Sequence, residues 1–347
     1  MEKLRLLTNS MRSKFASCHR AYKIAYVDMI RPAVDSEALS FGTQMHALLE
    51  KYWKRELVTE DDFPIDDPYR AATLKALFDG YCDRWIEDDF RMYETVGAEI
   101  GFSAPLMNPE TGALSKTWQL AGKIDAIAKE KATGRYVIVE HKTTSSDIGQ
   151  GSDYWKKIPI DGQVSGYYVG ASTVGYEAEN CLYDVIRKPT IKPSKTVPVL
   201  DDDGLKIAVY EDSGERAYTK QGKPKQSASK EEGIILMVRD ETPEEWAERL
   251  EKDIAERPDY YFARLDVARS SEDLAEYLFD MWAVGREIAD AERMGRFSRN
   301  PQACSVFGTC EYFDVCTGCA SLDDVTLYKK IETPNPELEN NNTNQKG

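Results

Sequence analysis

Two kinds of hydrophobic pattern alternate along the chain, and together they predict a mixed α/β protein. Apolar side chains recur every three or four positions, as in amphipathic helices, over residues 8–27, 40–57, 69–92, 161–175, 242–256 and 270–295. The apolar runs typical of strands cover residues 95–106, 118–130, 135–143, 180–188 and 260–268. Gly134 lies in a short turn between the second and third of these strands, which therefore form a predicted hairpin.

Residues 188–235 interrupt this order. They are rich in Pro, Ser and Lys and contain one short strand candidate at residues 205–211. We interpret them as an irregular insertion in a single domain that spans residues 1–330. Residues 331–347 are polar and are predicted to be a disordered tail.

The composition limits the classes of protein that the chain can represent. It has 60 acidic and 45 Lys or Arg residues, a net charge of −15, which argues against a protein covered in nucleic acid through its overall field. A local basic groove remains compatible with that charge. The basic side chains around the insertion are either a solvated loop or contacts for a DNA backbone: Arg187, Lys188, Lys192, Lys195, Lys220, Lys223, Lys225 and Lys230.

The start of the chain and its apolar runs predict where the protein resides. Its first fifteen residues lack the apolar core of a secretory signal, and no run of about 18 apolar residues is present. We therefore expect a cytoplasmic protein that does not associate with membranes. In a reducing compartment, clustered cysteines are metal ligands more often than disulfides.

Charged side chains end the buried strand "VIVEHKT" at residues 137–143. Glu140 and Lys142 point to one face of the strand, and His141 points to the other. The pair is either an exposed ion pair of little energetic value or a metal-binding carboxylate beside a lysine that orients a water. Asp125, within the apolar strand "GKIDAI", would add a second carboxylate from the adjacent strand, which makes an oxygen-rich site suited to Mg²⁺ or Mn²⁺.

Three further side chains are compatible with such a site. His46 lies on an otherwise apolar helix, where a lone histidine is either a packed boundary residue or a ligand. Gln163 and Tyr167 are four residues apart and so share one face of a helix, which by itself is a weak signal.

Four cysteines, Cys304, Cys310, Cys316 and Cys319, lie within sixteen residues near the C-terminus. Thiolates in this arrangement indicate Zn²⁺ or an iron–sulfur cluster, and the alternative is a set of core thiols. Cys18 is the candidate partner from the other end of the chain. Four thiolates fill a coordination sphere, which argues against a zinc hydrolase.

In their order, these motifs resemble the RecB-type nucleases of the PD-(D/E)XK superfamily, in the branch that carries an iron–sulfur cluster. That branch includes the nuclease domain of the AddB helicase–nuclease subunit and CRISPR-associated exonucleases, and the layout is also similar to phage-encoded members. The resemblance covers most of residues 8–320 through six segments: "FASCHRAYK", "GTQMH", "GKIDAI", "VIVEHKT", "QVSGY" and the C-terminal cysteines.

The resemblance implies a mixed central sheet flanked by helices, with N- and C-terminal helical parts joined by the cysteine-ligated cluster. It implies that His46, Asp125, Glu140 and the backbone carbonyl of His141 bind the divalent metal. Lys142 would position the attacking water, with Gln163 and Tyr167 near it and near the DNA backbone. The [4Fe–4S] ligands would be Cys18, Cys304, Cys310 and Cys316, although the spacing departs from the usual pattern and Cys319 could replace one of them.

The function implied is a metal-dependent deoxyribonuclease, favoured as an exonuclease, in DNA recombination, repair or phage DNA processing. Its partners would be single-stranded DNA or duplex ends, and a helicase or a single-strand annealing or recombination protein. The competing hypothesis is a non-catalytic DNA-binding or scaffold module stabilised by the cysteine site. The presence of Asp125, Glu140 and Lys142 together argues against that hypothesis.

Overall fold

The helices follow the amphipathic segments of the sequence closely. In the computed structural model, which describes residues 4–306 and 308–338, the α-helices are α1 (Asn9–Ser17), α2 (His19–Tyr22), α3 (Glu37–Lys54), α4 (Pro68–Met92), α5 (Asp153–Lys156), α6 (Gly162–Thr173), α7 (Pro243–Glu256), α8 (Pro258–Tyr261), α9 (Ser271–Met294) and α10 (Phe313–Thr317). Capping boxes at Thr242 and Ser270 begin α7 and α9, because each side chain accepts from the third helical N–H.

The strands likewise match the predicted runs. They are β1 (Arg5–Leu7), β2 (Ile30–Pro32), β3 (Tyr93–Met107), β4 (Leu114–Glu130), β5 (Tyr136–Thr144), β6 (Ala178–Arg187), β7 (Val197–Pro198), β8 (Ala208–Tyr210), β9 (Ile234–Leu236), β10 (Val238–Arg239), β11 (Phe262–Asp266) and β12 (Tyr328–Lys330).

Six of these strands form one mixed sheet in the order β1-β4-β5-β6-β11, with β3 paired to β4. β4 is antiparallel to β3 and β5, β5 is parallel to β6, and β11 is antiparallel to β6. The hairpin of β4 and β5 is the one predicted around Gly134. The expectation of an α/β fold with a mixed central sheet flanked by helices is therefore confirmed.

The described residues form two compact units. The first contains the six-stranded sheet and comprises residues up to Val58, Trp85–Arg187 and the residues from Phe262 onward. The second comprises Thr59–Arg84 and Lys188–Tyr261. It holds the predicted insertion, which is less irregular than expected. β7 pairs with β10, and β8 pairs with β9 beside a small core of Ala208, Ala217 and Ile234.

Two terminal segments differ from their predictions. The single helix expected over residues 8–27 is interrupted at Cys18, whose extended backbone separates α1 from α2, and it continues as a π-helical turn over Lys23–Val27. Within the predicted disordered tail, Asn335 is buried and its Nδ2 donates to Met11 Sδ at 3.6 Å. Residues 339–347 lie outside the described residues.

Glycines let helix α6 pack closely against the sheet and against α9, which carries Tyr277. A Cβ at Gly170 would overlap the ring of Phe102, and a Cβ at Gly166 would lie 2.7 Å from the Tyr277 hydroxyl oxygen. This close approach explains why a glycine-containing segment is nevertheless helical, since tertiary packing outweighs the low helix propensity of glycine. It also brings the first turns of α6, and with them Gln163 and Tyr167, against the sheet.

Gly170→Ala is expected to destabilise the protein by about 1–3 kcal/mol, since overpacking against Phe102 outweighs the gain of about 0.5–1 kcal/mol that alanine gives a helix. The matched control is Gly42→Ala in α3, where the added Cβ meets Thr143 Oγ1 at an ordinary 3.4 Å. Denaturant unfolding of both variants measures the difference. Equal stability of the two variants would contradict the packing argument.

Candidate active site

The structure brings the predicted residues together at one end of the β4–β5 hairpin. Asp125 is on β4, and Glu140 and Lys142 are on β5. His46 reaches the hairpin from α3, and α6 supplies Gln163 and Tyr167. Side chains separated by more than a hundred residues thus meet because the hairpin register and the two helices place them there.

Asp125 lies at the junction of β4, β5 and α3. Its Oδ2 accepts a hydrogen bond of 2.9 Å from the backbone N–H of His141 and lies 3.4 Å from His46 Nδ1. Burial by itself would raise the pKa of Asp125, but His46, His141 and Lys142 outweigh that effect and hold the pKa below its usual range. Asp125 is therefore a carboxylate at neutral pH. The same contact raises the pKa of His46, although burial opposes the rise.

Glu140 and Lys142 form a buried ion pair rather than an exposed one. The Glu140 side chain is only 1% exposed, and its Oε1 contacts Lys142 Nζ directly. Lys142 Nζ also donates to Gln163 Oε1 at 3.0 Å, and Gln163 Nε2 donates to the Tyr167 hydroxyl at 2.6 Å. The predicted Gln and Tyr thus form a hydrogen-bonded chain that ends on the ammonium of Lys142.

Opposing contributions set the pKa of Glu140. Burial raises its pKa to about 7, with a further contribution from Asp125, while Lys142 works in the opposite direction. Burial lowers the pKa of Lys142, but Glu140 and Asp125 outweigh it, so that the pKa lies above the usual lysine value. Perturbed groups of this kind, side by side, are typical of functional sites.

Sequence reasoning missed a buried polar network behind β5. The imidazole of His141 points away from Lys142, and its Nδ1 lies 3.4 Å from Oδ2 of the fully buried Asp184. Arg264 Nη2 donates to that oxygen at 3.1 Å, and Arg264 also binds Asp89 through two hydrogen bonds of 2.6 and 2.8 Å. The only signal in the sequence was a charged residue within an apolar strand, at Asp184 in "NCLYDVIRK" and at Arg264 in "YYFARLDVA".

A cavity of about 210 Å³ opens next to these residues. Its walls include Asp125, Gln163 and Tyr167 from the predicted set. Lys123 of β4 and Leu338 near the described C-terminal end also line it, and neither was expected at the site. Leu338 arrives there because Ile331 N donates to Met29 O and the buried Asn335 lies against Met11.

The side chains fit a hard divalent cation by their chemistry. Among the described residues, no three or more His, Cys, Asp or Glu side chains form a group that could hold a metal ion in this arrangement. Asp125 is ionised, however, and neither oxygen of the buried Glu140 has a hydrogen bond of conventional geometry in the described part of the chain. Two neighbouring carboxylates repel one another when both are charged, and a divalent cation removes that repulsion. With an imidazole beside them, they are of the chemical type that binds Mg²⁺ or Mn²⁺.

The cysteines of the two chain ends approach one another without forming a recognisable metal site. Cys18 and Cys310 pack against the same small core of Ala21, Tyr312 and Tyr328. Cys310 N donates to Cys304 O at 2.9 Å. Within residues 4–306 and 308–338 these thiols do not form a group that could hold a metal, so the predicted cluster stays a prediction.

Charge in the second unit is mixed. Lys225 of the predicted basic set is paired with Glu232. A cleft of about 870 Å³ in this unit is lined by four acidic residues and two basic ones, which leaves it net negative: Asp79, Asp83, Glu248, Glu251, Arg84 and Lys252. Its charge has the wrong sign for a DNA backbone, which leaves the cavity beside Asp125 as the better candidate for a phosphate.

Comparisons with known proteins identify the family. No helix within the described residues is both long and apolar enough to span a membrane. No curated protein matches the chain. A similar solved structure, "Crystal structure of SSO0001", has 13% sequence identity and a TM-score of 0.36, over 88% of this chain and 87% of that one. The profile of the PD-(D/E)XK nuclease superfamily matches residues 7–317. This match spans α3, α6 and the sheet apart from most of β1, and the chain therefore belongs to the PD-(D/E)XK nuclease superfamily.

Proposed function

We propose that this protein is a metal-dependent deoxyribonuclease that acts as an exonuclease. The observation that carries the proposal is the position of Lys142, whose ammonium is held between Glu140 and Gln163 at the end of the strand pair that also carries Asp125. Membership of a nuclease superfamily supports the same reaction, the hydrolysis of a phosphodiester bond.

Each side chain of the site has a separate role in the proposed hydrolysis. Asp125, Glu140, His46 and the carbonyl of His141 would hold a divalent cation, which supplies positive charge to the phosphate and makes a water more acidic. Lys142 holds the attacking water by a hydrogen bond and adds positive charge next to the nucleophile. Gln163 fixes the ammonium of Lys142, and Tyr167 fixes Gln163, so the groups need little rearrangement during the reaction.

The deciding experiment is digestion of matched DNA substrates. End-labelled linear DNA and covalently closed circular DNA are incubated with the purified protein and Mg²⁺, Mn²⁺ or chelator. We expect release of label from linear DNA only, with either metal and not with chelator. Cleavage of circular duplex DNA would overturn the exonuclease assignment, and DNA binding without any cleavage would indicate the non-catalytic module instead.

His46 provides a test of the proposed metal site. Because His46 Nδ1 lies 3.4 Å from Asp125 Oδ2, His46→Ala should raise the Mn²⁺ concentration needed for half-maximal activity by about 10-fold or more. A metal titration measures this value, and a thermal melt of the metal-free protein measures stability. A lower melting temperature with an unchanged metal requirement would mean that His46 only packs.

Metal binding should depend on pH because protons compete for the same groups. Glu140, with its pKa raised to about 7 by burial, is largely protonated at pH 6, and the pKa of His46 is raised as well. The affinity for Mn²⁺ should therefore fall by about tenfold or more for each pH unit below 7, because both groups must lose their protons to bind the metal. Calorimetric titration without DNA measures it. An affinity that is constant from about pH 6 to 8 would contradict the role given to Glu140.

We further propose that Cys18, Cys304, Cys310 and Cys316 bind a [4Fe–4S] cluster, with Cys319 as the possible substitute for one of them. Contacts between the chain ends support this proposal. Asn300 Nδ2 donates to Ser17 O at 2.8 Å, Arg20 N donates to Ser298 O at 3.0 Å, and β12 pairs with β2. A cluster there would join two segments that already touch, and it would stabilise the fold rather than take part in hydrolysis.

The resemblance to the RecB-type branch also suggests the setting of the reaction. It favours DNA recombination, repair or phage DNA processing, with single-stranded DNA or duplex ends as substrate. A helicase or a single-strand annealing protein is the corresponding partner, since the sequence contains no Walker A motif of its own for ATP-driven unwinding.

A further inference from the structure

Glu99 has an unusual backbone for a residue in the middle of a strand. It lies within β3, a strand of 15 residues, yet its φ is +53°, in the left-handed region that side chains other than glycine rarely adopt. The flanking pairs Ala98–Ala126 and Ile100–Ile124 leave it directly opposite Asp125. A strained residue next to a reactive group is often retained because its side chain is needed there.

The side chain of Glu99 forms an ion pair with Lys123, the cation of the strand segment "GKIDAI". The pair is mostly buried, since 19% of the Glu99 side chain and 29% of the Lys123 side chain are exposed. Burial raises the pKa of Glu99, and Asp125 and Glu50 add to that rise, while Lys123 opposes it. The carboxylate of Glu99 therefore holds the ammonium of Lys123 in place on the hairpin.

Lys123 also lines the cavity beside Asp125, together with Gln163 and Tyr167. Lys142 is the other ammonium of the hairpin end, and it is already engaged by Glu140 and Gln163. Lys123 is likewise paired, with Glu99, and it brings a second ammonium to the cavity on the same face of β4 as Asp125. Lys123 and Asp125 are two residues apart on β4, about 6–7 Å along the strand, so a phosphodiester with its scissile phosphate near Asp125 can bring a neighbouring phosphate near Lys123.

We propose that Lys123 binds the DNA phosphate adjacent to the scissile one, and that Glu99 is the positioning residue that holds the Lys123 ammonium at the cavity. The proposal rests on the nuclease function proposed above. It assigns Lys123 to substrate binding and leaves the chemical step to Lys142. The strained φ of Glu99 is explained in the same way, because this backbone conformation accompanies the ion pair of its carboxylate with Lys123.

The test of Lys123 is the salt dependence of DNA binding, which a merely structural residue would not change. Binding is measured with chelator present, so that no cleavage occurs. Lys123→Gln should weaken binding about five- to tenfold at low salt and lower the slope of log Kd against log salt by about 0.7–0.9, the value of one phosphate contact. Lys123→Arg should retain the slope. The matched control is Lys116→Gln, an exposed lysine of the same strand, for which we expect no change.

The test of Glu99 is a double-mutant cycle with Lys123. Glu99→Gln should weaken DNA binding in the wild-type background. It should have no effect in the Lys123→Gln background, because Glu99 acts through that lysine. Steady-state kinetics of the Glu99→Gln protein should show that KM rises about as much as Kd, while kcat changes less than about threefold. Additive effects of the two changes on Kd would overturn the positioning role of Glu99.

Failure of this inference differs from failure of the nuclease function. If wild-type protein cleaves DNA and Lys123→Gln keeps both the wild-type slope and the wild-type KM, the phosphate contact is wrong and the nuclease function stands. If wild-type protein neither binds nor cleaves DNA, the proposed function itself is wrong. Thermal melts of each variant ensure that only folded protein is compared.

Discussion

Lys142→Gln protein is expected to fold and to lose at least about 10²-fold of its DNA-cleaving activity. The ammonium of Lys142 is held by Glu140 and by Gln163 at 3.0 Å, so glutamine removes the charge next to the nucleophile while keeping most of the side-chain volume. The matched control is Lys129→Gln, a lysine of β4 that lies 5.8 Å from the ring of Tyr136 and should leave activity unchanged.

Asp125→Asn and Glu140→Gln should abolish cleavage as completely as Lys142→Gln, since each removes a proposed metal ligand. Their effects on the metal-free protein should differ. The lowered pKa of Asp125 means that its ionised form stabilises the fold above about pH 4, a contribution that is lost as pH falls through the folded pKa. The raised pKa of Glu140 means that ionisation of this group costs stability as pH rises toward 7.

Thermal melts at about pH 8 separate the two carboxylates. Asp125→Asn should lower the melting temperature more than Glu140→Gln does. Normal cleavage by folded Lys142→Gln protein would contradict the active site proposed here, and equal melting temperatures for the two carboxylate variants would contradict the electrostatic description of it.

Protein purified without oxygen is expected to be brown and to contain about four irons per chain. Cys18→Ser should bleach it and lower its melting temperature by roughly 5–10 °C, because the proposed cluster closes a loop around nearly the whole chain and so restricts the unfolded state. Cys82→Ser is the control, since Cys82 belongs to α4 and not to the cysteine-rich end.

The C-terminal ligands are separated by comparing two variants. We expect Cys304→Ser to bleach the protein and Cys319→Ser, which changes an exposed thiol, to leave the colour. The opposite result would assign Cys310, Cys316 and Cys319 as ligands. Colourless protein that contains zinc after anaerobic preparation would exclude the iron–sulfur cluster and retain only the link between the chain ends.

Local patterns in the sequence were sufficient for most of the elements and for the superfamily. The hairpin of β4 and β5 follows from two apolar runs around Gly134, and α7 and α9 begin within one residue of the amphipathic segments predicted over residues 242–256 and 270–295. The same patterns place Glu140 and Lys142 on one face of β5, because side chains alternate along a strand. These features depend on residues within a few positions of one another, so they could be predicted without knowledge of the packing.

Only the tertiary structure decided which side chains contact one another. The bond from the His141 N–H to Asp125, the contact of Lys142 with Gln163 and the ion pair of Glu99 with Lys123 depend on strand register and on the approach of α6. The helix expected over residues 8–27 breaks at Cys18, and Leu338 reaches the cavity, for the same reason. Contacts between distant residues are selected by the total packing free energy of the fold, and no local pattern carries that information.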